Sequence, residues 1–490
     1  MLYEAFKRNR EERPTAAAFM VACGDRYVPI SWKQFTDDIA VVVHLIKTHA
    51  SGARIGLLGE NSYAWMVAHA AVLFSGATVV PIDVNLNSAE ISERLKFVGS
   101  TVMIYSALYS EKAEEVQRLT PGLIIGSFGA RKTDLVLDVT RAALRLSKQN
   151  IWDEPSVSYA KISMIVFTSG TTSKPRGAEL TVEGLEAMIG SWTRALPMAE
   201  SQRSLMLLPL NHIFGVCATY LMLCRGVALG ICPDFRRIYD DVERFRVNFL
   251  FLVPALAEIL AQKILRHGRS VEEALGMPID WIVTGGAPIH RSTHEKLTGL
   301  GIKMLCAYGL TETTSLFSVS PYSEAPRVGS AGKITDDPNT SIKVSPEGEL
   351  MIKGPSVLKG YFLNPEKTAE AIDPDGWFHT GDRGKIDEDG YVWITGRASR
   401  TIILSTGKKI APEELEEKIM QIPGIREVLV SGEGESRDIK AEVYALISEA
   451  QVTRGIGELN ALLPVYKRIK TIVVRTEPFP RTSSGKIKVS

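Results

Sequence analysis

The sequence predicts an α/β protein with a second, smaller α+β domain at its C-terminal end. Through about the first 400 residues, apolar strand-like runs alternate with amphipathic helical segments. This alternation is typical of parallel sheets that are covered by helices. Near residue 345 the pattern changes to short strands separated by charged turns that contain glycine. With 490 residues, the chain is long enough for a large core and a satellite domain.

Individual elements of the large domain follow from runs of apolar residues. We predict strands at 55–58, 78–82, 164–167, 249–253, 281–284 and 303–306, and helices at 88–98 and 271–275. The nearly uncharged stretch 65–82 is interrupted by His69, Ser75, Gly76, Thr78 and Pro81. It therefore predicts a buried helix, a turn and a strand rather than a membrane span.

The C-terminal part begins with strand and hairpin signals. A strand is predicted at 348–352, and Asp389-Gly390 between two apolar runs indicates a hairpin turn. After Arg397, the pattern predicts a helix at 412–422 and strands at 428–430, 441–447 and 471–474. This segment of roughly ninety residues is large enough for its own core, so we place a domain boundary near 396–400.

Charge and cysteine content exclude several classes of protein. The 57 Lys and Arg residues nearly balance the 56 Asp and Glu residues, so no global field favours nucleic acid or an anionic membrane. The five cysteines form no C-x-x-C pair, and His294-Glu295 lacks the second histidine of a zinc motif. We expect free, buried thiols. The N-terminus is charged and lacks a signal segment, so we expect a cytoplasmic protein.

A polar loop follows the strand predicted at 164–167. Its residues are Thr168, Ser169, Gly170, Thr171, Thr172, Ser173, Lys174, Pro175, Arg176 and Gly177. Glycine permits a close approach of the backbone, hydroxyls donate hydrogen bonds and the two cations neutralise charge, so this loop suits a polyphosphate. Pro175 stands where a Walker loop requires glycine, which excludes that motif. Composition alone leaves a surface turn equally open.

Further polar clusters lie along the chain. They are 285–288 and 308–313 after two predicted strands, 376–382 before the hairpin, 396–397 at its end, and 481–487 close to the C-terminus. The first two fall at the carboxyl ends of strands, where open α/β sheets bind their ligands. Taken singly, each cluster is equally well explained by solvated polar residues in turns.

In this order, the clusters resemble the motifs of the acyl-adenylate-forming superfamily. Its members are acyl-CoA synthetases, peptide-synthetase adenylation domains and beetle luciferases, and the fatty acyl- and aryl-CoA ligases look most similar. The resemblance runs from 76–83 to the C-terminal end. It implies an N-terminal adenylation domain, residues 1–397, made of two α/β subdomains and a small β-barrel-like subdomain. It also implies a mobile lid domain, residues 398–490, with a hinge near Ser399.

The resemblance implies ATP, Mg²⁺ and a thiol as partners, and it assigns residues to each. It implies that Glu312 is the metal ligand and that Lys486, Glu312 and Thr171 are catalytic. The implied nucleotide-binding residues are Thr168, Ser169, Gly170, Thr171, Thr172, Ser173, Lys174, Arg176, Gly286, Ala287, Pro288, Tyr308, Gly309, Thr311, Asp382 and Arg397. The implied residues of the acid pocket are His212, Ile213, Gly285 and Tyr308, although His212 is equally well explained as a core histidine. Gly407, Lys408 and Lys409 are implied to face the CoA side, and a solvated charge pair explains the two lysines almost as well.

Three positions depart from the family pattern. Ser173 stands where glycine is usual, Arg176 where lysine is usual, and Ser399 at a hinge position that usually holds Asp or Lys. Arginine keeps the charge and adds a fork suited to phosphate, so ATP binding should survive. Serine at 173 is less compatible than glycine with a positive φ.

The resemblance leaves the acid and the acceptor open. The segment 211–215 lacks the aspartate typical of domains that activate α-amino acids, and the apolar residues after it suit a fatty or aryl acid, or simply a core helix. The acceptor is CoA or the phosphopantetheine of a carrier protein. A carrier-protein ligase and a catalytically silent binding protein remain alternatives, although Glu312, Asp382 and Lys486 count against the latter.

Overall fold

The computed structural model describes residues 1–23, 26–128, 151–154, 157–168, 176–232, 235–268, 270–335, 337–404, 409–433, 438–481 and 487. Contacts divide the chain into a first unit, Met1–Ser341 with Lys353–Pro374, and a second unit, Ile342–Ile352 with Asp375–Ser490.

The helices of the first unit are α1 (Leu2–Glu12), α2 (Trp32–His49), α3 (Tyr63–Phe74), α4 (Ser88–Phe97), α5 (Ser110–Leu119), α6 (Val182–Ala195), α7 (Ile213–Cys224), α8 (Ile238–Phe245), α9 (Pro254–His267), α10 (Val271–Leu275), α11 (Arg291–Gly299) and α12 (Pro365–Ala371). Those of the second unit are α13 (Pro412–Met420) and α14 (Glu449–Leu462).

The strands up to residue 334 are β1 (Ala17–Cys23), β2 (Arg26–Ser31), β3 (Arg54–Leu58), β4 (Thr78–Ile82), β5 (Val102–Ser106), β6 (Ile124–Phe128), β7 (Met164–Thr168), β8 (Arg176–Leu180), β9 (Arg203–Met206), β10 (Ala228–Ile231), β11 (Phe249–Leu252), β12 (Trp281–Thr284), β13 (Lys303–Leu310), β14 (Ser315–Val319) and β15 (Lys333–Ile334). The remaining strands are β16 (Ser341–Val344), β17 (Glu349–Lys353), β18 (Gly360–Tyr361), β19 (Phe378–Ile386), β20 (Val392–Arg397), β21 (Ile402–Ile403), β22 (Lys409–Ile410), β23 (Ile425–Glu433), β24 (Asp438–Ala445) and β25 (Thr471–Arg475).

Three sheets build the first unit. A seven-stranded sheet has the order β18-β8-β7-β4-β3-β5-β6, a five-stranded sheet the order β11 to β15, and a four-stranded sheet the order β2-β1-β10-β9. The strands β11, β12 and β13 are parallel and fully buried at their centres. Helices α8 to α11 supply most of the apolar side chains that cover this sheet, with Leu250, Leu260, Ile264 and Ile282 in one cluster.

The predicted elements of the first unit lie within two residues of the observed ones, with one informative difference. The strand predicted at 303–306 continues to Leu310. Its first half pairs in parallel with β12, and its second half pairs antiparallel with β14. Tyr308 and Gly309 are therefore part of a strand and do not follow one. The seven-stranded sheet is also mixed, because β8 runs antiparallel to β7.

The second unit contains two main sheets. One has the order β16-β17-β19-β20 and includes the predicted hairpin, in which Gly390 has φ +84°. The other, β23-β24-β25, packs with α13 and α14 around a core that includes Leu415, Ile419 and Val443. Both strands of the hairpin, β19 and β20, belong to the second compact unit. A lid beginning at residue 398 and a hinge near Ser399 stay predictions.

The buried thiols that the sequence predicts are found at four positions. Cys217, Cys224, Cys232 and Cys306 are buried, and none of these four forms a disulfide. Burial raises the pKa of the Cys217, Cys224 and Cys306 thiols above the usual value, so these groups stay protonated at neutral pH. Within the ranges that the structure describes, none of the helices has the length and apolar character that crossing a membrane requires.

Candidate active site

The arms of the predicted phosphate loop are a pair of antiparallel strands. Thr168 ends β7 and lies directly opposite Arg176, which begins β8. Both residues are half-buried. The residues between them that the sequence assigns to phosphate lie outside the described residues; these are Ser169, Gly170, Thr171, Thr172, Ser173 and Lys174. The register of β7 and β8 thus brings the two ends of the loop together at one edge of the sheet.

Glu312 lies in the short 3-10 turn Thr311–Thr313, directly after β13. It is half-buried, and Oε1 accepts a 3.0 Å hydrogen bond from the hydroxyl of Tyr361. The two residues after this turn, Thr314 and Ser315, have φ angles of +48° and +85°, values that residues other than glycine rarely adopt. The hydroxyl of Thr314 donates a 2.6 Å hydrogen bond to the carbonyl of Ser356. The turn that presents Glu312 is therefore strained and tightly bound to its neighbours.

A single carboxylate at this turn fits a magnesium ion bound together with a nucleotide. Among the described residues, no group of three His, Cys, Asp or Glu side chains is arranged to hold a metal by protein ligands alone. Mg²⁺ usually takes one or two carboxylates and completes its shell with phosphates and waters. The half-buried carboxylate of Glu312 suits that kind of coordination.

The element predicted to contact adenine follows β12. Gly285 is buried, and a Cβ there would lie 3.1 Å from the carbonyl oxygen of Ala307 and 3.4 Å from the ring of Phe214. Gly286 has φ +81°, a value that favours glycine. Ala287 and Pro288 are exposed. The chain thus leaves the sheet through a turn that needs two glycines, and it presents the next residues to solvent.

The residues predicted for the acid pocket come from neighbouring elements. Ile213 is buried and begins α7, while His212, half-buried, precedes it as the helix N-cap. The ring of Phe214 reaches Gly285, so this turn adjoins the turn after β12. Tyr308 packs edge-on against Phe317, with ring centroids 4.7 Å apart. The structure therefore brings His212, Ile213 and Gly285 into one region of the first unit.

The apolar run that follows His212 belongs to the core. Val216, Cys217, Ala218, Leu221, Met222 and Leu223 are all at most 2% exposed. Helix α7 is apolar on every face, which is typical of a helix that is buried all round.

Phe214 is not among the residues that the sequence predicts for the acid pocket, although its ring lies near Gly285. Its aromatic side chain, next to His212 and Ile213, is the sequence signal by which it could have been predicted.

In the second unit, Asp382 and Arg397 lie opposite each other on β19 and β20. Oδ1 of Asp382 accepts a 2.7 Å charge-assisted hydrogen bond from Nε of Arg397, and the carboxylate is almost fully buried. Glu349 supports this strand. Its Oε1 accepts a hydrogen bond from the amide of Gly381 at 2.8 Å, and Oε2 lies 3.0 Å from Nδ1 of His379. No sequence signal pointed to Glu349.

Ser399, the predicted hinge, lies in the 3-10 turn Ala398–Arg400. The next residue, Arg400, is anchored to the second unit. It donates hydrogen bonds to Oε1 of Glu413 at 3.0 Å, to Oε1 of Glu416 at 2.6 Å and to the carbonyl of Val430 at 3.2 Å. Burial raises the pKa of Glu413 above its usual value even with Arg400 beside it.

The predicted catalytic lysine and most of the predicted CoA-side residues lie outside the described residues. These are Lys486, Gly407 and Lys408. Arg481 and Ile487 form an isolated antiparallel bridge, so the segment that carries Lys486 begins and ends at paired residues. The backbone of Lys409 lies in β22, opposite Ile403 in β21.

The fold and these sites define the class of the protein: the chain belongs to the AMP-binding enzyme family. That family matches residues 6–362, and the C-terminal domain of AMP-binding enzymes matches residues 399–489. The superfamily and the mixed α/β architecture that the sequence motifs predicted are therefore confirmed.

Curated relatives align along most of the chain. The long-chain-fatty-acid–CoA ligase FadD13 of Mycobacterium tuberculosis is 30% identical over 458 residues, which cover 89% of this chain and 87% of the relative. Feruloyl-CoA synthase from Amycolatopsis sp is 29% identical over 454 residues, with the same coverage. The indoleacetate–CoA ligase of Aromatoleum aromaticum is 27% identical over 450 residues, covering 89% of this chain and 86% of the relative.

Solved structures share the fold. ATP-bound MatB from Rhodopseudomonas palustris superposes with a TM-score of 0.85 at 24% identity and covers 99% of this chain and 97% of its own. A fatty acyl CoA synthetase of Mycobacterium tuberculosis superposes with a TM-score of 0.72 at 26% identity, covering 99% of this chain and 96% of its own.

Proposed function

We propose that this protein activates a carboxylic acid with ATP and transfers the acyl group to the thiol of CoA. In the first half-reaction, a carboxylate oxygen attacks the α-phosphorus, the bond to the pyrophosphate oxygen breaks, and acyl-AMP forms. In the second, the thiol loses its proton and attacks the acyl carbon, and AMP leaves. The observation that carries this proposal is the similarity to named CoA ligases along about nine tenths of the chain.

The proposed substrate is a fatty or aryl acid. Relatives of comparable similarity are named for a long-chain fatty acid, for ferulate and for indoleacetate. The turn next to His212 offers apolar and aromatic side chains, Ile213 and Phe214, and no carboxylate that would pair with an α-amino group. An apolar pocket with few polar groups suits such acids.

The charge that develops on the phosphoryl oxygens needs fixed positive groups. We assign Lys174, Arg176 and the hydroxyl of Thr171 to the β- and γ-phosphates, and Glu312 to Mg²⁺, which when bound neutralises charge on the nucleotide. Gly286, Ala287 and Pro288 border the adenine. The remaining implied nucleotide contacts are Thr168, Ser169, Gly170, Thr172, Ser173, Tyr308, Gly309 and Thr311.

In the second unit, Asp382 is assigned to the ribose hydroxyls. Its support is chemical, because a buried carboxylate accepts hydrogen bonds from two hydroxyls at once and Arg397 offsets its charge. Lys486 is assigned to the substrate carboxylate and the α-phosphate. Rotation of the lid domain, residues 398–490, about Ser399 would remove Lys486 after the first half-reaction and admit the thiol.

The proposed acceptor is CoA, with Gly407, Lys408 and Lys409 beside its nucleotide end, and the proposed location is the cytoplasm. A carrier-protein phosphopantetheine is the alternative acceptor. One experiment tests the whole proposal: ATP–pyrophosphate exchange with a panel of acids, followed by thioester formation with CoA or with a carrier protein. We expect exchange with fatty or aryl acids and a thioester with CoA. Exchange with none of the acids would contradict the proposal and support a silent binding protein.

A further inference from the structure

We infer that Tyr361 is a positioning residue that orients Glu312 for metal-dependent binding of ATP. The inference deepens the proposed function, since it rests on the assignment of Glu312 to Mg²⁺. The two side chains are 49 positions apart in sequence, and the tyrosine hydroxyl donates a 3.0 Å hydrogen bond to Oε1 of the carboxylate. Groups that hydrogen-bond a ligating carboxylate fix its orientation and thereby tune the affinity for the metal.

The backbone of this region connects the metal carboxylate to the phosphate loop. The amide of Leu358 donates a 2.8 Å hydrogen bond to the carbonyl of Glu312. Four residues later, the amide of Phe362 donates a 2.8 Å hydrogen bond to the carbonyl of Gly177. Between these bonds, Tyr361 pairs with Ala178 on β8, the strand that leaves the phosphate loop. The segment 358–362 thus links the two parts of the proposed nucleotide site.

Tyr361 itself is held in one place. Its amide donates a 2.9 Å hydrogen bond to Oγ1 of Thr368, and its carbonyl accepts one from the amide of Asn364, also at 2.9 Å. Leu363 has φ +51°, a backbone conformation that is rare for a residue with a side chain. Because Leu363 is 75% exposed, burial of its side chain does not compensate the cost of this conformation. A strained backbone that is fixed by its surroundings is typical of segments that position functional groups.

The chemistry of the two groups fixes the direction of this hydrogen bond. An ionised carboxylate can only accept, so the hydroxyl of Tyr361 is the donor. The hydroxyl also lies within the electrostatic range of Arg176, the cation at which this phosphate loop departs from its family.

The test is Tyr361→Phe, which removes the hydroxyl and keeps the ring. Binding of a non-hydrolysable ATP analogue is measured by calorimetry over a series of Mg²⁺ concentrations, and binding of AMP is measured without metal. We expect the variant to bind the analogue with Mg²⁺ about tenfold more weakly, as is typical for loss of a supporting group. Affinity for AMP should change less than about twofold. Glu312→Gln should abolish the Mg²⁺ dependence, and Tyr361→Phe should add nothing in that background.

Tyr322→Phe is the matched control. Tyr322 is also half-buried in the first unit, and among the described contacts its hydroxyl donates to no partner, so both affinities should stay as in the parent. Equal weakening of AMP and of the analogue by Tyr361→Phe would overturn the inference, because it would indicate a merely structural role. Multiplicative effects with Glu312→Gln would overturn it as well. If Glu312→Gln kept the Mg²⁺ dependence, the metal assignment itself would fail together with the inference, whereas exchange activity would still test the ligase function.

Discussion

Asp382 shows how single residues acquire chemistry from their surroundings. In the sequence it is an aspartate after a glycine, which most often marks a turn. In the structure it is a nearly fully buried carboxylate that is paired with Arg397 at 2.7 Å, and Glu349 holds the preceding amide. A buried charge is retained only where partners compensate it. The pairing with Arg397 therefore fixes the position of this buried carboxylate.

For single residues, the assignment of Lys486 to the first half-reaction gives the most direct prediction. We expect Lys486→Ala to lower acid-dependent ATP–pyrophosphate exchange by at least about 100-fold, because the transition state loses a positive charge beside the α-phosphate. Thioester formation from supplied acyl-AMP should be spared, since we assign the lysine to the first half-reaction only. Both rates are measured on the same preparation. Lys470→Ala, which removes an exposed lysine in the same unit, should leave both unchanged. Undiminished exchange in Lys486→Ala would refute the assignment.

At the scale of elements, the turn after β20 is fixed on its C-terminal side. Arg400 joins Glu413 and Glu416 on α13 and the carbonyl of Val430 on β23. The hinge predicted at Ser399 lies directly before this anchor. Arg400 also offsets the repulsion between Glu413 and Glu416, two carboxylates that lie on the same helix.

Removing this anchor should destabilise the second unit. We expect Arg400→Ala to lower its free energy of unfolding by about 2 kcal/mol, since two half-buried carboxylates lose their common partner. Calorimetric melting of the full chain measures this. Lys470→Ala breaks the exposed pair with Asp438 and should cost at most about 0.5 kcal/mol. Equal effects of the two substitutions would show that Arg400 is no more than a surface residue.

For the whole molecule, a buried histidine makes stability depend on pH. His69 on α3 is fully buried, stacks on Trp65 and contacts the hydroxyl of Tyr220 at 2.9 Å. Burial lowers its pKa from 6.5 to about 3. Between pH 6.5 and about pH 3, the unfolded chain therefore binds a proton that the folded chain does not bind. This contribution to the free energy of unfolding is fully present above pH 6.5 and is lost as the pH falls towards 3.

At pH 5 this effect corresponds to about 2 kcal/mol. We expect His69→Phe to be less stable than the parent at pH 7, because Tyr220 loses its partner, and to lose less stability between pH 7 and pH 5. Melting temperatures over this range measure the slope. His44→Gln changes an exposed position on α2 and serves as the control, with the slope of the parent. An unchanged slope in His69→Phe would contradict the prediction.

The sequence by itself determined the family, the order of the motifs and the elements of the α/β unit. Apolar runs such as 281–284 and glycines such as Gly286 express local preferences that are readable without a structure. Tertiary structure alone decided which residues meet. The bond between Tyr361 and Glu312, the pairing of Asp382 with Arg397 and the anchor at Arg400 depend on strand register and on contacts between distant segments. The periodicity of a sequence predicts a single helix or strand. It does not predict a hydrogen bond between distant residues, because such a bond forms only when the sheets have assembled in one register.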